Sequence, residues 1–313
     1  MKTVGDTMMK NNKMSIIFVL SILAILFVTG CAQSNNHTMD NGEANTKLRF
    51  DSAPEAGKTA HFQIVLKDKQ GNPLNLQIEH DRFVHAVIVS EDLQSIAHIH
   101  PEDFAGGTIS TEMKESGMYP LQFTFPKAGK YVLAMNILTQ DGESARDFIF
   151  EVKGSPQMDK VLFDPKKQQI VQGVPEEGGK NRFVKAVDIR QVETTMDGYM
   201  ATLTTPQQIK AGQKVVLTEH FEKDGKQFDK LSTFLGAPMH FAVVKEGLDV
   251  ALHTHGTLPN TNSGHGGHMA AQTIGPDINL EVTFPKAGIY RIFGQAKHEN
   301  KIIFTGFMVE VTS

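Results

Sequence analysis

One histidine pattern occurs twice in this chain of 313 residues. The first copy holds His85, His98 and His100, and the second holds His240, His253 and His255. In both copies twelve residues separate the first two histidines, and one residue separates the last two. The similarity extends to the segment FPKAGKY, which ends at Tyr131, and to FPKAGIY, which ends at Tyr290. The pattern indicates a tandem duplication of one module, so each functional group of the module should be present twice.

The spacing of strand and turn signals predicts an all-β fold. Short runs such as HAVIVSEDL and ARDFIFEV are rich in β-branched and aromatic residues, and Gly, Pro, Asn and Asp interrupt them. We therefore expect two tandem immunoglobulin-like or cupredoxin-like antiparallel β-sandwiches. Tyr131 and Tyr290 follow a Pro-x-x-Gly turn, where such sandwiches often place a structural corner tyrosine. Met135, whose counterpart is Gly294, is expected in the core.

The predicted organisation has five segments. They are a signal peptide (residues 1–30), a flexible tether that begins with Cys31 (31–46), the first sandwich (47–153), a linker (154–180) and the second sandwich (181–313). The tether is polar and has no hydrophobic periodicity, and the linker contains prolines and a Glu-Glu-Gly-Gly run. Met1, Met9 and Met14 are all compatible with the start of translation.

The N-terminus predicts the compartment. Lys10 and Lys13 precede an apolar run over residues 15–28, which is long enough for a signal-peptide core and short for a membrane span. Val28-Thr29-Gly30-Cys31 follows, and it resembles the lipobox of bacterial lipoproteins, whose cysteine is lipidated. The resemblance implies a protein anchored to the cell membrane at Cys31 and facing outside the cytoplasm. An uncleaved signal anchor is the alternative. Cys31 is the only cysteine, so no thiolate metal site is available.

The spacing of the histidines predicts a β-hairpin that gathers three imidazoles. His98 and His100 are two residues apart, so on a strand they lie on one face. A turn near Asp92 pairs their strand with that of His85, and directly opposite side chains are then about 5 Å apart. The second copy predicts the same arrangement around a turn at Gly247.

Converging neutral imidazoles are typical ligands of first-row transition metals. Cu(II) has the highest affinity for nitrogen donors, and zinc is the alternative. The predicted metal ligands are His85, His98, His100, His240, His253 and His255. Residues 32–313 are then expected to bind two metal equivalents, one in each of two separate sandwiches. The alternative is that these histidines serve packing or hydrogen bonding at the sheet edge.

A second group of donors lies in an insertion. The second module is four residues longer than the first between its histidines and Phe284. The extra length contains His265, His268 and Met269 in a glycine-rich stretch, and we expect these residues to be auxiliary metal ligands. A flexible linker that contains histidine by chance explains the stretch equally well. Four histidines without a counterpart in the other copy are expected to be isolated polar residues: His61, His80, His220 and His298.

The first hairpin carries a recognisable pattern. His85 starts it, and His98, His100 and Pro101 form a His-x-His-Pro end that precedes a Pro-x-x-Gly-x-Tyr strand. This pattern resembles a group of bacterial extracytoplasmic modules, loosely allied with YtkA-like and FixH-like domains. The resemblance implies a role in heavy-metal or copper handling. The second copy has Gly256 in place of the proline, which we expect to loosen the end of its strand.

These features predict a lipid-anchored protein, not an enzyme, that buffers or delivers copper or zinc. Its expected partners are metal ions, the membrane, and a membrane metal transporter or metal-dependent enzyme. One alternative is an enzyme with a three-histidine metal centre, but neither copy shows a nucleophile elbow, a phosphate loop or a repeated acid/base pair. The other is a metal-free sandwich that acts as a spacer or docks a partner. The net charge of −4 without a basic stripe argues against nucleic-acid binding.

Overall fold

The computed structural model describes residues 45–155, 198–259 and 274–313, and also the backbone of three strands between residues 169 and 196. The predicted signal peptide, Cys31 and the auxiliary residues His265, His268 and Met269 lie outside the described residues. Within the described ranges, no helix is long and apolar enough to cross a membrane.

The first module pairs a three-stranded sheet with a five-stranded sheet. The smaller sheet contains β1 (Asn45–Phe50), β2 (Thr59–Lys67) and β6 (Met118–Thr124), in the order β1-β2-β6. The larger sheet contains β3 (Leu76–Gln77), β4 (Val84–Ser90), β5 (Ile96–Ile99), β7 (Gly129–Thr139) and β8 (Gly142–Val152). Its order is β3-β7-β4-β5, and β8 also pairs with β7. Two short helices, α1 (Pro101–Phe104) and α2 (Thr111–Ser116), follow β5.

The second module pairs a seven-stranded sheet with a five-stranded sheet. The larger sheet contains β9 (Gln169–Pro175), β10 (Asn181–Val187), β11 (Val192–Met196), β12 (Tyr199–Thr204), β14 (Lys214–Lys223), β15 (Lys226–Gln227) and β18 (Asp277–Thr283). The smaller sheet contains β13 (Ile209–Lys210), β16 (His240–Lys245), β17 (Ala251–His255), β19 (Gly288–His298) and β20 (Lys301–Thr312). Its order is β13-β20-β19-β16-β17, and the pairing of β13 with β20 is parallel. β9 lies in the segment that the sequence assigned to the linker.

Each module encloses its own apolar core, and the prediction of an all-β fold with two tandem sandwiches is confirmed. The corner tyrosines have the expected structural role. The Tyr131 hydroxyl donates to the carbonyl oxygen of Lys127 at 2.9 Å, and the Tyr290 hydroxyl donates to that of Lys286 at 2.8 Å. Met135 is fully buried in the first core, as predicted.

A third apolar cluster joins the two modules. It contains Val87 and Val89 of β4 together with Ala242 and Val244 of β16. These residues alternate along each strand with residues that point into the module's own core, so both faces of β4 and β16 are buried. The two five-stranded sheets therefore pack face to face. The expectation of two separate sandwiches does not hold, because a second apolar face on each sheet needs a covering layer.

Candidate metal centre

The histidine hairpins have the expected antiparallel register. In the second module His240 lies opposite His255, and His253 lies opposite Ala242, two positions further from the strand end. Residues directly opposite each other share a sheet face, so all three imidazoles project from one face. β4 and β5 have the equivalent register in the first module. That shared face is the one that each sheet turns toward the other module.

The two hairpins meet across the boundary between the modules. His85, His98, His240 and His253 each offer a ring nitrogen, and these four atoms all lie within 4.8 Å of one another. All four side chains are buried. We call this group the four-histidine centre. It differs from the two separate three-histidine groups expected from the sequence, because strand periodicity gives the direction of a side chain but not what packs against it.

Carbonyl oxygens determine the tautomers of the two histidines from the first module. Nε2 of His85 donates to the backbone carbonyl of Glu79 at 3.0 Å, and Nδ1 of His98 donates to Oε1 of Gln295 at 2.9 Å. Because a carbonyl oxygen only accepts, the lone pairs of these neutral rings are on Nδ1 of His85 and Nε2 of His98. Those two nitrogens face each other at 3.3 Å. Two lone pairs at this distance repel unless a cation lies between them.

The second module repeats most of this arrangement. Nε2 of His240 donates to the carbonyl oxygen of Phe234 at 2.9 Å, and its Nδ1 faces Nε2 of His253 at 3.3 Å. Nδ1 of His253 is buried and has no hydrogen-bond partner among the described residues. The register explains this difference, since Asn136 holds the position that Gln295 has in the other module. The Asn136 side chain is one methylene shorter.

Burial keeps these four rings neutral. It is the largest cause, ahead of the charge on His100, that lowers the pKa of His85 to about 3. Burial likewise lowers the pKa values of His98, His240 and His253 well below the usual range. Imidazole binds a metal only in its neutral form. The centre is therefore ready to bind a cation at neutral pH without first losing protons.

The distances within the centre fit a transition metal. A tetrahedral ion with metal–nitrogen bonds of about 2.0–2.1 Å holds its nitrogen ligands roughly 3.3–3.4 Å apart. The two facing ring nitrogens within each hairpin are 3.3 Å apart. Three of the four rings also donate their other nitrogen to a carbonyl oxygen, which is how metal-bound histidines are usually oriented. The buried histidine group can therefore hold a metal ion.

His100 borders the centre without belonging to the group of four. Its Nε2 lies 3.1 Å from Nε2 of His98, and its Nδ1 donates to Oδ2 of Asp103 at 3.0 Å. Asp103 also accepts a hydrogen bond from the backbone nitrogen of His100 at 2.8 Å. α1 begins at the next residue, so the helix and Asp103 together hold His100 in a buried position.

His255 belongs to a different group, which also contains Glu79 and His80. Its ring centroid is 3.8 Å from that of His80 and 4.6 Å from that of His240. The sequence predicts an isolated polar residue at His80, because Leu235 holds the equivalent position in the other copy. No local signal marks His80 as a neighbour of the second hairpin. Only the packing of one module on the other brings it there.

Gly256 does not loosen the end of its strand. Its backbone nitrogen donates to the carbonyl oxygen of Met239 at 2.8 Å. A Cβ atom at this position would lie 2.5 Å from Cγ2 of Ile278 and 3.2 Å from Cβ of Met239. The expectation is therefore wrong, because close packing rather than flexibility requires glycine here.

Family comparison matches both halves of the duplication. Residues 38–154 and 194–313 each match the model described as Domain of unknown function (DUF8832). The chain belongs to the DUF8832 family. The two matches agree with the two sandwich modules. Among curated proteins, none matches this sequence.

Several solved structures resemble the chain weakly. Red sea bream transglutaminase is 8% identical, with 88% of this chain and 32% of that chain covered and a TM-score of 0.23. Escherichia coli alpha-2-macroglobulin activated by porcine elastase is 8% identical, with 86% and 31% covered and a TM-score of 0.23. A marsupial T cell receptor is 11% identical, with 87% and 73% covered and the same score. The chain thus spans about a third of the first two proteins. TM-scores this low support no conclusion about function.

Proposed function

We propose that this protein binds a transition-metal ion, copper in preference to zinc, at the four-histidine centre between its modules. The observation that carries the proposal is the close approach of two ring nitrogens that both carry lone pairs. In the first module, Nδ1 of His85 faces Nε2 of His98 at 3.3 Å although hydrogen bonds to carbonyl oxygens leave both atoms without a proton. A bound cation replaces that repulsion with coordinate bonds.

The donor set supports copper as the first choice. The centre offers four neutral imidazole nitrogens from His85, His98, His240 and His253. Nitrogen donors bind Cu(II) more tightly than the other divalent first-row metals, and Zn(II) also accepts four imidazoles. The group contains no thiolate or carboxylate, so a hard cation such as Mg²⁺ or Ca²⁺ is a poor fit.

Enclosure of the centre supports binding rather than catalysis. Catalytic metal sites usually keep one coordination position open for water or substrate, whereas structural sites are filled by protein ligands. Four buried histidines from two modules match the filled type. We therefore propose buffering or delivery of the ion in preference to an enzyme with a three-histidine metal centre.

The proposed location is the outer face of the cytoplasmic membrane. Its support is the lipobox-like Val28-Thr29-Gly30-Cys31 and the pattern shared with extracytoplasmic YtkA-like and FixH-like modules. A lipid anchor at Cys31 would place the centre within reach of a membrane metal transporter or a metal-dependent enzyme. Replacement of Cys31 by Ala should move the protein from the membrane fraction to the soluble fraction.

Metal titration of the full chain tests the proposal. We expect the metal-free protein to compete for Cu(II) with a chelator, and His98→Ala and His253→Ala each to weaken the tightest binding by at least about 100-fold, because both modules supply ligands to one ion. His61→Ala is the control, since His61 is exposed on β2. Two independent sites would instead leave half of the tight capacity unchanged in each variant. That result, or no binding above the control level, would refute the proposal.

A further inference from the structure

The four-histidine centre has two unlike ends. At one end His100 is only 1% exposed, and Asp103 and α1 hold it in place. At the other end Glu79, His80 and His255 are only half-buried. The second end is therefore the more exposed of the two.

The second end gathers metal donors of its own. One ligand atom from each of Glu79, His80 and His255 lies within 4.8 Å of the other two. His255 connects this group to the centre, because its ring stands nearly perpendicular to that of His240, with centroids 4.6 Å apart. Glu79 is a second link, since its backbone carbonyl accepts the hydrogen bond that orients His85.

We infer that Glu79, His80 and His255 form a second, solvent-facing cation site through which Cu(II) or Zn(II) enters the four-histidine centre. The entry step rests on the proposed function of that centre, whereas the second site does not. Two imidazoles and a carboxylate suit borderline divalent cations. With three donors and partial exposure to water, this outer site binds more weakly and exchanges more quickly than the inner one.

The turn that carries His80 holds it in a defined position. Glu79 and Arg82 exchange two backbone hydrogen bonds, at 2.8 and 3.0 Å, around His80 and Asp81. Both central residues have positive φ, 46° and 64°, which is typical of a tight two-residue hairpin turn. The turn packs against Gly236 of the other module, where a Cβ atom would lie 3.1 Å from Cα of His80.

The equivalent turn of the second module carries no imidazole. Leu235 and Gly236 occupy its central positions, with φ of 47° and 76°. The outer site is therefore present on one side only, although the inner centre is built symmetrically. Comparison of the two turns also identifies a tolerated substitution, His80→Leu. Leu235 shows that leucine adopts the backbone conformation found at His80.

Equilibrium dialysis of the full chain against Cu(II) tests the inference. We expect two bound ions in the wild type and one in His80→Leu, with the inner affinity changed by less than about twofold, since the leucine removes a ligand of the outer site only. The rate at which Cu(II) loads the inner centre, measured by rapid mixing, should fall by roughly tenfold in the variant. Glu79→Gln should act in the same direction, because it removes the carboxylate charge but keeps the carbonyl that orients His85.

The outcomes separate the two proposals. An unchanged ion count in both His80→Leu and Glu79→Gln overturns the outer site, and an unchanged loading rate overturns its role in entry. His98→Ala tests the inner centre independently, because a variant that still binds both ions with wild-type affinity counts against the proposed function alone. His61→Leu is the matched control for the loss of one exposed histidine.

Discussion

The two histidine hairpins have the same pattern, but their surroundings differ. In the first, α1 and Asp103 cover the final histidine, His100. In the second, the described residues that follow the strand, 256–259, form no helix, and His255 lies half-buried against His80. The positions that face the proposed ion are the same in both copies, whereas their neighbours have diverged. Duplication has thus produced a symmetric centre with one closed and one accessible end.

The cores of the two modules differ as well. Ile64 of β2 is fully buried, and its counterpart in β14 is the buried carboxylic acid Glu219. Gly294 lies beside it, and a Cβ atom there would lie 3.3 Å from Oε2 of Glu219 and collide with Met239 and Thr305. Burial raises the pKa of Glu219 to about 8, against a smaller opposing effect of the Thr305 hydroxyl. The second core therefore holds a carboxyl that is neutral at pH 7 where the first holds hydrocarbon.

The largest expected effect is a loss of stability in acid, to which the two hairpins should contribute equally. Burial lowers the pKa of His85 to about 3, and it lowers those of His98, His240 and His253 well below 6.5. The unfolded chain therefore takes up more protons than the folded one as the pH falls below about 6.5. Each histidine should then cost the metal-free protein up to about 1.4 kcal/mol of unfolding free energy per pH unit.

Urea unfolding in the presence of a chelator, between about pH 7 and pH 5, measures this slope. His98→Gln and His253→Gln should each reduce the slope by the share of one histidine. Clearly unequal reductions would show that the two hairpins are not equivalent in the metal-free protein.

The next effect concerns the hydrogen bond to His98. Gln295→Leu removes the acceptor for Nδ1 of His98 and should weaken Cu(II) binding by roughly 10–100-fold, because the ring loses the partner that orients it. Asn136→Leu is the matched change in the first module and should have little effect, since Nδ1 of His253 has no such bond. Equal losses in the two variants in a competition titration would mean that Gln295 acts through packing alone.

A comparable effect on stability comes from the core contrast at Glu219. Because its pKa is raised from 4.5 to about 8 in the folded state, the contribution of Glu219 to stability should fall as the pH rises through this window. The buried histidines contribute equally in the wild type and in Glu219→Gln, so the wild type should lose roughly 2 kcal/mol relative to that variant between about pH 6.5 and pH 8. Urea unfolding across that range tests the difference. Glu310→Gln, an exposed change of the same charge on β20, should leave the loss in place.

The smallest effect is a gain that would make the hairpins more alike. Asn136→Gln places the longer side chain of Gln295 in the first module, where it can accept from Nδ1 of His253. We expect up to about tenfold tighter Cu(II) binding, as for other partners that orient a ligating ring. The same substitution in a His253→Ala background should give no gain. A gain that persists there would have another cause.

Local pattern accounts for much of the structure. The two-residue spacing of His98 and His100, the hairpin turns and the corner tyrosines could all be predicted, because each depends on strand periodicity or on a few neighbouring residues. The sequence also held an unused signal for the interface. Every residue over 86–89 is apolar, which indicates a strand that is buried on both faces.

The amino-acid sequence by itself determined the duplication, the all-β sandwiches and the sheet face on which each histidine lies. Tertiary structure alone decided that the two histidine-bearing faces cover each other, which turns two hairpins into one four-histidine group and brings His80 beside His255. The physical reason is that apolar burial is non-directional. A strand specifies that its face must be covered, but the shapes of two complete sheets specify what covers it.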